Sequence, residues 1–310
     1  MRKILISTSS FNVKENYFLK ELEKNGFSLV LNPYGRRLTE NEVNALLKDN
    51  VVGLVAGLEP LTRKVIKTAL NLKVVSRCGV GMEYVDLEAA KEYGIEVYNT
   101  PTAPVIAVAE LTIGLILSVL RRIVEADINI RNNNWKPLMG NLLSEQTVGI
   151  VGYGRIGSKV AQLLRVFGTK IIAYDIRDIP PHDGITFLTF NEVISQANIV
   201  VLHLSLDSST RHIINNRTVA MMKKGAKLIN TSRGELVDEN AVVDALKSGH
   251  LSGAGIDTFE KEPYKGPLTT FPQVVLTSHM GSYAIEARAQ MEKEAVGNLL
   301  KGLRMKGLFV

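Results

Sequence analysis

Before residue 100 the chain alternates between two patterns of hydrophobic and polar positions. Short apolar runs of strand length are separated by stretches such as residues 15–26, where apolar side chains recur every three or four positions. This alternation predicts a parallel sheet with helices on both faces. The apolar runs lie at residues 2–6, 28–31, 52–56, 73–76 and 95–98.

A second series of strand-like runs begins at residue 147. The closing segment, residues 282–307, has helical spacing and no further strand, so we expect a helix that returns to the first sheet. The later runs of the series lie at residues 170–175, 198–204, 226–231, 253–257 and 274–279.

The predicted fold class is therefore α/β, with two doubly wound parallel-sheet domains (Rossmann-like or flavodoxin-like) and a cleft between them. Residues 1–100 and 284–310 would form a discontinuous first domain, and residues 101–283 the second. The apolar stretch 103–120 approaches the length of a membrane span, but it contains Glu110. We therefore predict a helix buried between the domains and no membrane partner.

The second series opens with a glycine motif between a strand pattern and a helix pattern. Gly152, Gly154 and Gly157 spell G-x-G-x-x-G, and Gly168 stands where the helix pattern ends. Such a turn directs backbone N–H groups and the positive end of the helix dipole at one point, which suits a pyrophosphate. The motif alone is weak, but its strand and helix context favours dinucleotide binding over a packing turn.

The acidic residue Asp175 ends the next strand pattern, about twenty positions after the glycines. A carboxylate there accepts hydrogen bonds from the ribose hydroxyls and repels a 2′-phosphate, so the predicted cofactor is NAD. Arg177 weakens that preference, since an arginine at this place can meet a phosphate.

Composition narrows the class of protein. The 310 residues are 45% hydrophobic and 22% charged, with a net charge of +6, as in a soluble globular protein. The basic residues are scattered, which argues against a nucleic-acid partner and favours small anionic ligands. The single cysteine, Cys78, excludes an internal disulfide, and the opening residues do not resemble a secretory signal, so we expect a cytoplasmic protein.

Three polar residues follow strand patterns of the second series, where ligands of open parallel sheets bind. Arg233 can hold the carboxylate and carbonyl of a 2-oxo acid. His279 can exchange a proton near neutral pH, and Glu262, in a loop before a proline, can hold that histidine. Taken singly, each also fits a structural role.

Several stretches together resemble the NAD-dependent D-2-hydroxyacid dehydrogenases, and most of all their phosphoglycerate dehydrogenase branch. The matching motifs are GYGRIG, the stretch from NTSRGE to FEKEP, and LTSHMGS, together with residues 76–117. They cover nearly the whole chain, so the resemblance is far more specific than the glycines alone.

The resemblance implies that Arg233 binds and polarises the substrate, that His279 is the acid and base, and that Glu262 is its partner. It also implies a homodimer through the long helix that begins at residue 103. Among the other residues, it assigns Asp257 to the nicotinamide carboxamide, Arg155 and Ile156 to the pyrophosphate, Thr231, Ser232 and Gly281 to the nicotinamide side, and Val80 and Gly81 to the substrate carboxylate.

The chain departs from the family pattern at two places. After residues 198–202 it reads His203-Leu204-Ser205 where the family has a proline, and we expect His203 to be a cofactor-side or structural residue. Residues 55–62 contain no arginine, although some phosphoglycerate dehydrogenases are expected to use one there on the phosphate. Arg77, or Lys136 from a neighbouring subunit, is a candidate for a second anionic group of the substrate.

The leading hypothesis is oxidation of 3-phosphoglycerate with NAD, and the alternative within the class is reduction of hydroxypyruvate or glyoxylate. A different class, an NAD-sensing co-repressor that binds without turnover, shares the fold and similar residues. The chain ends at residue 310, which leads us to expect no appended regulatory module.

Overall fold

The computed structural model describes residues 1–9, 11 and 17–308, and the chain divides into two compact units. Unit 1 comprises Met1–Pro104 and Ala284–Val310, and unit 2 comprises Val105–Tyr283. The first division therefore falls four residues after the predicted one at residue 100. The helical pattern predicted from residue 15 begins outside the described residues. Residues 309 and 310, at the end of the predicted first domain, also lie outside them.

Unit 1 contains a parallel sheet of five strands in the order β2-β1-β3-β4-β5. Its strand runs are those that the hydrophobic pattern predicts, with ends displaced by a residue or two. The strands are β1 (Arg2–Ile6), β2 (Phe27–Leu31), β3 (Val51–Ala56), β4 (Val74–Arg77) and β5 (Glu96–Tyr98). The helices are α1 (Tyr17–Lys24), α2 (Glu40–Leu47), α3 (Arg63–Thr68), α4 (Leu87–Glu92) and α11 (Ile285–Met305).

The last helix, α11, packs on β3, β4, β5 and α1. Its buried side chains recur at helical spacing, from Met291 through Ala295 and Leu299 to Leu303. Leu299 lies against Gly53 of β3, and a β-carbon on Gly53 would lie 2.9 Å from the Cδ1 atom of Leu299. The predicted return of the closing segment to the first sheet is confirmed.

Unit 2 contains seven parallel strands in the order β12-β11-β10-β9-β6-β7-β8, with β6 inside the sheet. The two-residue strand β8 was not predicted, because it is too short to leave a hydrophobic pattern. The strands are β6 (Thr147–Val151), β7 (Lys170–Tyr174), β8 (Thr186–Phe187), β9 (Ile199–Leu202), β10 (Ala226–Asn230), β11 (Leu251–Ile256) and β12 (Val274–Leu276). The helices are α5 (Val105–Arg121), α6 (Ile123–Arg131), α7 (Arg155–Val166), α8 (Phe190–Gln196), α9 (Asn216–Met221) and α10 (Glu239–Lys247).

The long helix α5 packs on α7 and on strands β10, β11 and β12 of the same unit. Its buried stripe includes Ala109, Ile113, Ile116 and Leu120. Glu110, the acidic residue of this apolar stretch, is exposed, because it falls on the face away from the buried stripe. No helix among the described residues is both long and apolar enough to cross a bilayer.

Truncation of Leu299 tests the packing of α11. Leu299 is 0% exposed, so Leu299→Ala leaves a cavity and should lower the free energy of unfolding of unit 1 by about 2–5 kcal/mol. Chemical denaturation followed by circular dichroism measures this loss. Leu70, which is 81% exposed, provides the control, since Leu70→Ala should change stability by less than about 0.5 kcal/mol. Equal effects of the two changes would contradict the packing.

Candidate active site

The glycine motif forms the turn between β6 and α7. Gly152 has φ of +97°, and a β-carbon there would lie 2.5 Å from the carbonyl oxygen of His203. A β-carbon on Gly157 would lie 2.1 Å from the carbonyl oxygen of Gly152. Side chains are therefore excluded at both positions, and strand and helix approach closely.

Gly154, the middle glycine, is exposed and caps the N-terminus of α7 without a side-chain hydrogen bond. A β-carbon on Gly154 would meet nothing within 4 Å, so packing within the chain does not require this glycine. Arg155 and Ile156 form the first turn of the helix, whose backbone N–H groups lack intrahelical acceptors. An exposed helix N-terminus of this kind fits a pyrophosphate.

Asp175 lies directly after β7 and beside this turn. Its Oδ2 atom accepts the N–H of Tyr153 at 2.8 Å, and its Oδ1 atom accepts the N–H of Arg177 at 3.0 Å. The Arg177 guanidinium donates to Oδ1 at 2.8 Å and to Oδ2 at 3.2 Å. The hydrogen bond from the Arg177 side chain is the main cause that lowers the pKa of Asp175 to about 2.

Arg233 follows β10 in a turn that Asn230 holds. The amide of Asn230 donates to the carbonyl of Arg233 at 2.8 Å and accepts the N–H of Ser232 at 3.1 Å. Arg233 itself is extended and half-buried, and its guanidinium donates to the carbonyl of Ser232 at 2.6 Å. The sequence analysis missed Asn230, although an asparagine at a strand end is a turn signal.

Asp257 and His279 follow the adjacent strands β11 and β12. Asp257 is 0% exposed, and its carboxylate accepts the hydroxyl of Thr277 at 2.5 Å and the N–H groups of Met280 and Gly281 at 2.9 Å each. Its carbonyl accepts the N–H of His279 at 2.8 Å. Asp257 thus anchors the turn that carries His279, which leaves its role toward the nicotinamide carboxamide untested.

The imidazole of His279 lies beside the carboxylate of Glu262. Its Nδ1 atom is 3.0 Å from both Oε1 and Oε2, and each side chain is a little over a quarter exposed. Among the described residues, the other ring nitrogen of His279 has no hydrogen-bond partner. A carboxylate on one ring nitrogen fixes the tautomer and stabilises the charged imidazolium, so Nε2 can take and return a proton.

Gly234 brings the Arg233 turn against the loop that carries Glu262. A β-carbon on Gly234 would lie 1.9 Å from the carbonyl carbon of Phe259, whose N–H donates to Oε1 of Glu262 at 3.2 Å. The three residues predicted to perform the chemistry therefore come from neighbouring loops at the carboxyl edge of the unit 2 sheet.

The remaining predicted cofactor residues of this edge, Thr231, Ser232 and His203, have side chains that lie against other parts of unit 2. Thr231 is buried, and its hydroxyl lies 2.9 Å from that of Thr112, while the hydroxyl of Ser232 donates to the carbonyl of Leu202 at 2.6 Å. Burial lowers the pKa of His203 to about 3, so this imidazole is neutral. Neither ring nitrogen of His203 has a partner among the described residues.

The predicted substrate residues of unit 1 follow β4. Val80 is exposed and Gly81 is half-buried, and the N–H groups of both donate to no other atom in the described part of the chain. Two hydrogen bonds of 2.8 Å fix this loop: the hydroxyl of Thr100 accepts the N–H of Gly79, and the amide of Asn99 donates to the carbonyl of Val80. Two adjacent unpaired N–H groups can receive an anion.

Arg77 and Lys136 were candidates for a second anionic group. Arg77 is only 5% exposed, its guanidinium donates to the carbonyl of Cys78, and a β-carbon on Gly79 would overlap it. This burial argues against direct contact between Arg77 and a substrate. Lys136 is exposed in the segment after α6.

Comparisons with known proteins show the family to which the chain belongs. Residues 113–281 match the family model described as D-isomer specific 2-hydroxyacid dehydrogenase, NAD binding domain. A D-3-phosphoglycerate dehydrogenase of Methanocaldococcus jannaschii is 39% identical over 86% of the chain, which spans about half (52%) of that relative. A hydroxypyruvate reductase of Thermotoga maritima is 34% identical over 91% of the chain and 96% of the relative. The crystal structure of a Thermus thermophilus protein, TT0316, has a TM-score of 0.90 at 36% identity and covers 98% of this chain and 97% of that one.

Substitution of Gly234 tests the contact that joins the two loops. In Gly234→Ala the new methyl group must displace the backbone of Phe259, so we expect the hydrogen bond between Glu262 and His279 to lengthen or break. The ¹⁵N chemical shifts of the His279 imidazole, or a crystal structure of the variant, report this change. Gly297→Ala is the matched control, because a β-carbon there meets nothing within 4 Å. An unaltered His279 in the Gly234 variant would count against the contact.

Proposed function

Because the chain belongs to the D-isomer specific 2-hydroxyacid dehydrogenase family, we propose that it interconverts a small D-2-hydroxy acid and its 2-oxo acid with NAD. The observation that carries this proposal is the pair of His279 and Glu262 beside the turn of Arg233. The glycine turn between β6 and α7 supports dinucleotide binding in the same unit.

In this proposal the glycine turn and Asp175 would hold NAD, which would supply the hydride acceptor for the hydroxy acid and, in its reduced form, the hydride donor for the oxo acid. The guanidinium of Arg233 holds the substrate and polarises its carbonyl. In the oxidation direction, Nε2 of His279 takes the hydroxyl proton, and Glu262 stabilises the resulting imidazolium through Nδ1. In unit 1, the N–H groups of Val80 and Gly81 hold the substrate carboxylate.

The proposed cofactor residues differ in whether they must exchange hydrogen-bond partners before NAD can bind. Gly152, Gly154 and Gly157 and the first turn of α7 fit the pyrophosphate without rearrangement. At Asp175, the N–H groups and guanidinium that already donate to both oxygens use the four acceptor positions of the carboxylate. Ribose hydroxyls would therefore displace the side chain of Arg177 from Asp175.

The leading substrate from the sequence is 3-phosphoglycerate, and a relative named D-3-phosphoglycerate dehydrogenase supports it. The alternative is hydroxypyruvate or glyoxylate, supported by the relative named hydroxypyruvate reductase, nearly all of whose length this chain covers. The two candidates differ in the charge carried at C3.

Consumption of NADH with a panel of 2-oxo acids tests the function. We expect reduction of phosphohydroxypyruvate, hydroxypyruvate or glyoxylate, and a loss of about 100-fold to 10,000-fold in kcat/KM in His279→Ala, because general acid catalysis is removed. His250→Ala, which changes a histidine at the amino end of β11, is the control. Binding of NADH without reduction of any oxo acid would contradict the proposal and favour an NAD-sensing protein.

The proposed assembly is a homodimer, but the exposed apolar side chains favour an interface at α6 and the segment after it rather than at the long helix α5. A cluster of large apolar side chains on α6 and in the segment after it is exposed, and so extensive an apolar surface is typical of an interface. The cluster comprises Ile123, Val124, Ile128, Ile130, Trp135, Met139 and Leu142, of which Trp135 and Met139 are 87% and 89% exposed.

A double substitution within this apolar cluster tests the dimer. Charges at Trp135→Glu and Met139→Glu should convert a dimer into monomers, as measured by light scattering after gel filtration, because a charge buried at an interface is costly. Ile176→Glu, a change at an 88% exposed position outside the cluster, should leave the dimer intact. A monomeric wild-type chain would refute the assembly.

A further inference from the structure

A buried carboxylate lies at the carboxyl edge of the unit 1 sheet, outside the residues that the proposed mechanism uses. Glu59 is 2% exposed and belongs to the loop after β3. Its Oε1 atom accepts the hydroxyl of Ser7, and both of its oxygens lie 3.0 Å from the N–H nitrogen of Gly57. This set of donors holds the side chain in one position.

Among the described residues, no cation pairs with the carboxylate of Glu59. In the part of the chain that the structure describes, no lysine, arginine or histidine nitrogen lies within 4.0 Å of its carboxylate. A hydroxyl and a backbone N–H hold the carboxylate, and neither donor carries a positive charge. In a poorly solvated position the charge of this carboxylate acts on other charges over several ångströms.

Glu59 lies close to the loop proposed to hold the substrate carboxylate. The strand β3 lies between β1 and β4, with the N–H of Ser7 donating to Val55 at 3.0 Å and the N–H of Cys78 donating to Ala56 at 2.9 Å. Neighbouring strands are about 4.8 Å apart, so the ends of β1 and β4 are separated by about 10 Å. The loop of Val80 follows the end of β4 directly.

Two arginines, Arg77 and Arg288, act on Cys78 at the end of β4, and neither lies within ion-pair distance of Glu59. Arg77 lies at the end of β4 and is held beneath Gly79 and against the carbonyl of Cys78. Glu59 instead contacts Ser7 and the backbone of Gly57, on the β1 side of β3. The edge therefore presents N–H donors and a buried arginine at the end of β4, and a negative charge at the ends of β1 and β3.

We propose that Glu59 is a specificity-determining residue that disfavours a phosphate at C3 of the substrate. This inference rests on the proposed function and on the carboxylate site at Val80 and Gly81. A phosphate at C3 of a substrate held there by its carboxylate lies within the range of several ångströms over which the charge of Glu59 acts. The selected class is a two- or three-carbon 2-oxo acid with an uncharged C3 group or no C3 at all, as in hydroxypyruvate or glyoxylate.

The ratio of kcat/KM for phosphohydroxypyruvate to that for hydroxypyruvate tests the proposal. In the wild-type chain we expect hydroxypyruvate to be favoured by at least about tenfold, since a dianionic phosphate is repelled at this range. Glu59→Gln keeps the shape of the side chain and removes its charge, so the ratio should rise about tenfold or more in favour of the phosphorylated substrate. Added salt should shrink the difference between the two proteins.

Two controls separate charge from structure. Ser7→Ala removes a hydrogen-bond partner of Glu59 but keeps the charge, so any loss should affect both rates together while the ratio stays at the wild-type value. Glu23→Gln removes an exposed charge at the far end of α1 and should alter neither rate. An equal loss for both substrates in Glu59→Gln would show a purely structural role and overturn the inference.

The failure of the inference and that of the proposed function give different results. A wild-type preference for phosphohydroxypyruvate, which needs no variant to measure, would overturn the role of Glu59 while leaving the dehydrogenase function intact. Absence of turnover with every oxo acid, in a protein that binds NADH, would overturn both.

Discussion

The candidate active site depends on one buried carboxylate, that of Asp257. It lies at the end of β11 and receives hydrogen bonds from Thr277, Met280 and Gly281, which surround His279 in the chain. An aspartate with no exposed surface is stable only when donors of this kind replace water. The same bonds fold the segment after β12 into a tight turn, in which His279 adopts φ of +53°. The direction of the imidazole thus follows from the hydrogen bonds that the carboxylate of Asp257 accepts.

The other chemical groups are positioned by contacts that meet at this edge. Asn230 shapes the turn after β10, and Gly234 lets that turn press against the backbone of Phe259. Phe259 in turn donates to Glu262, whose carboxylate faces His279. Because β10, β11 and β12 are adjacent and parallel, residues distant in the chain arrive at one edge of the sheet. The reactive geometry therefore follows from strand order and from a few hydrogen bonds between loops.

Much of this arrangement is predictable from the chain alone, since strand runs, the glycine turn and the residues after strands leave periodic or positional signals. The return of α11 is readable because its apolar residues recur at helical spacing. Contacts between residues that are distant in the sequence leave no such signal in the chain. The exposure of Glu110, the burial of Arg77 and the anchoring role of Asp257 depend on which neighbours the folded chain supplies. Likewise, a hydrophobic pattern has no means of marking the two-residue strand β8.

Asp257 and Glu59 show how the same chemical group serves two purposes at the edges of two parallel sheets. Both are buried, both accept N–H and hydroxyl donors, and neither has a cationic partner within ion-pair distance among the described residues. The N–H groups that donate to Asp257 belong to the turn of His279, so the hydrogen bonds that stabilise Asp257 also position His279. The donors of Glu59 come from the ends of β1 and β3, so they fix a charge without orienting a reactive group. The carboxylate of Glu59 places a negative charge near the loop that is proposed to receive the substrate.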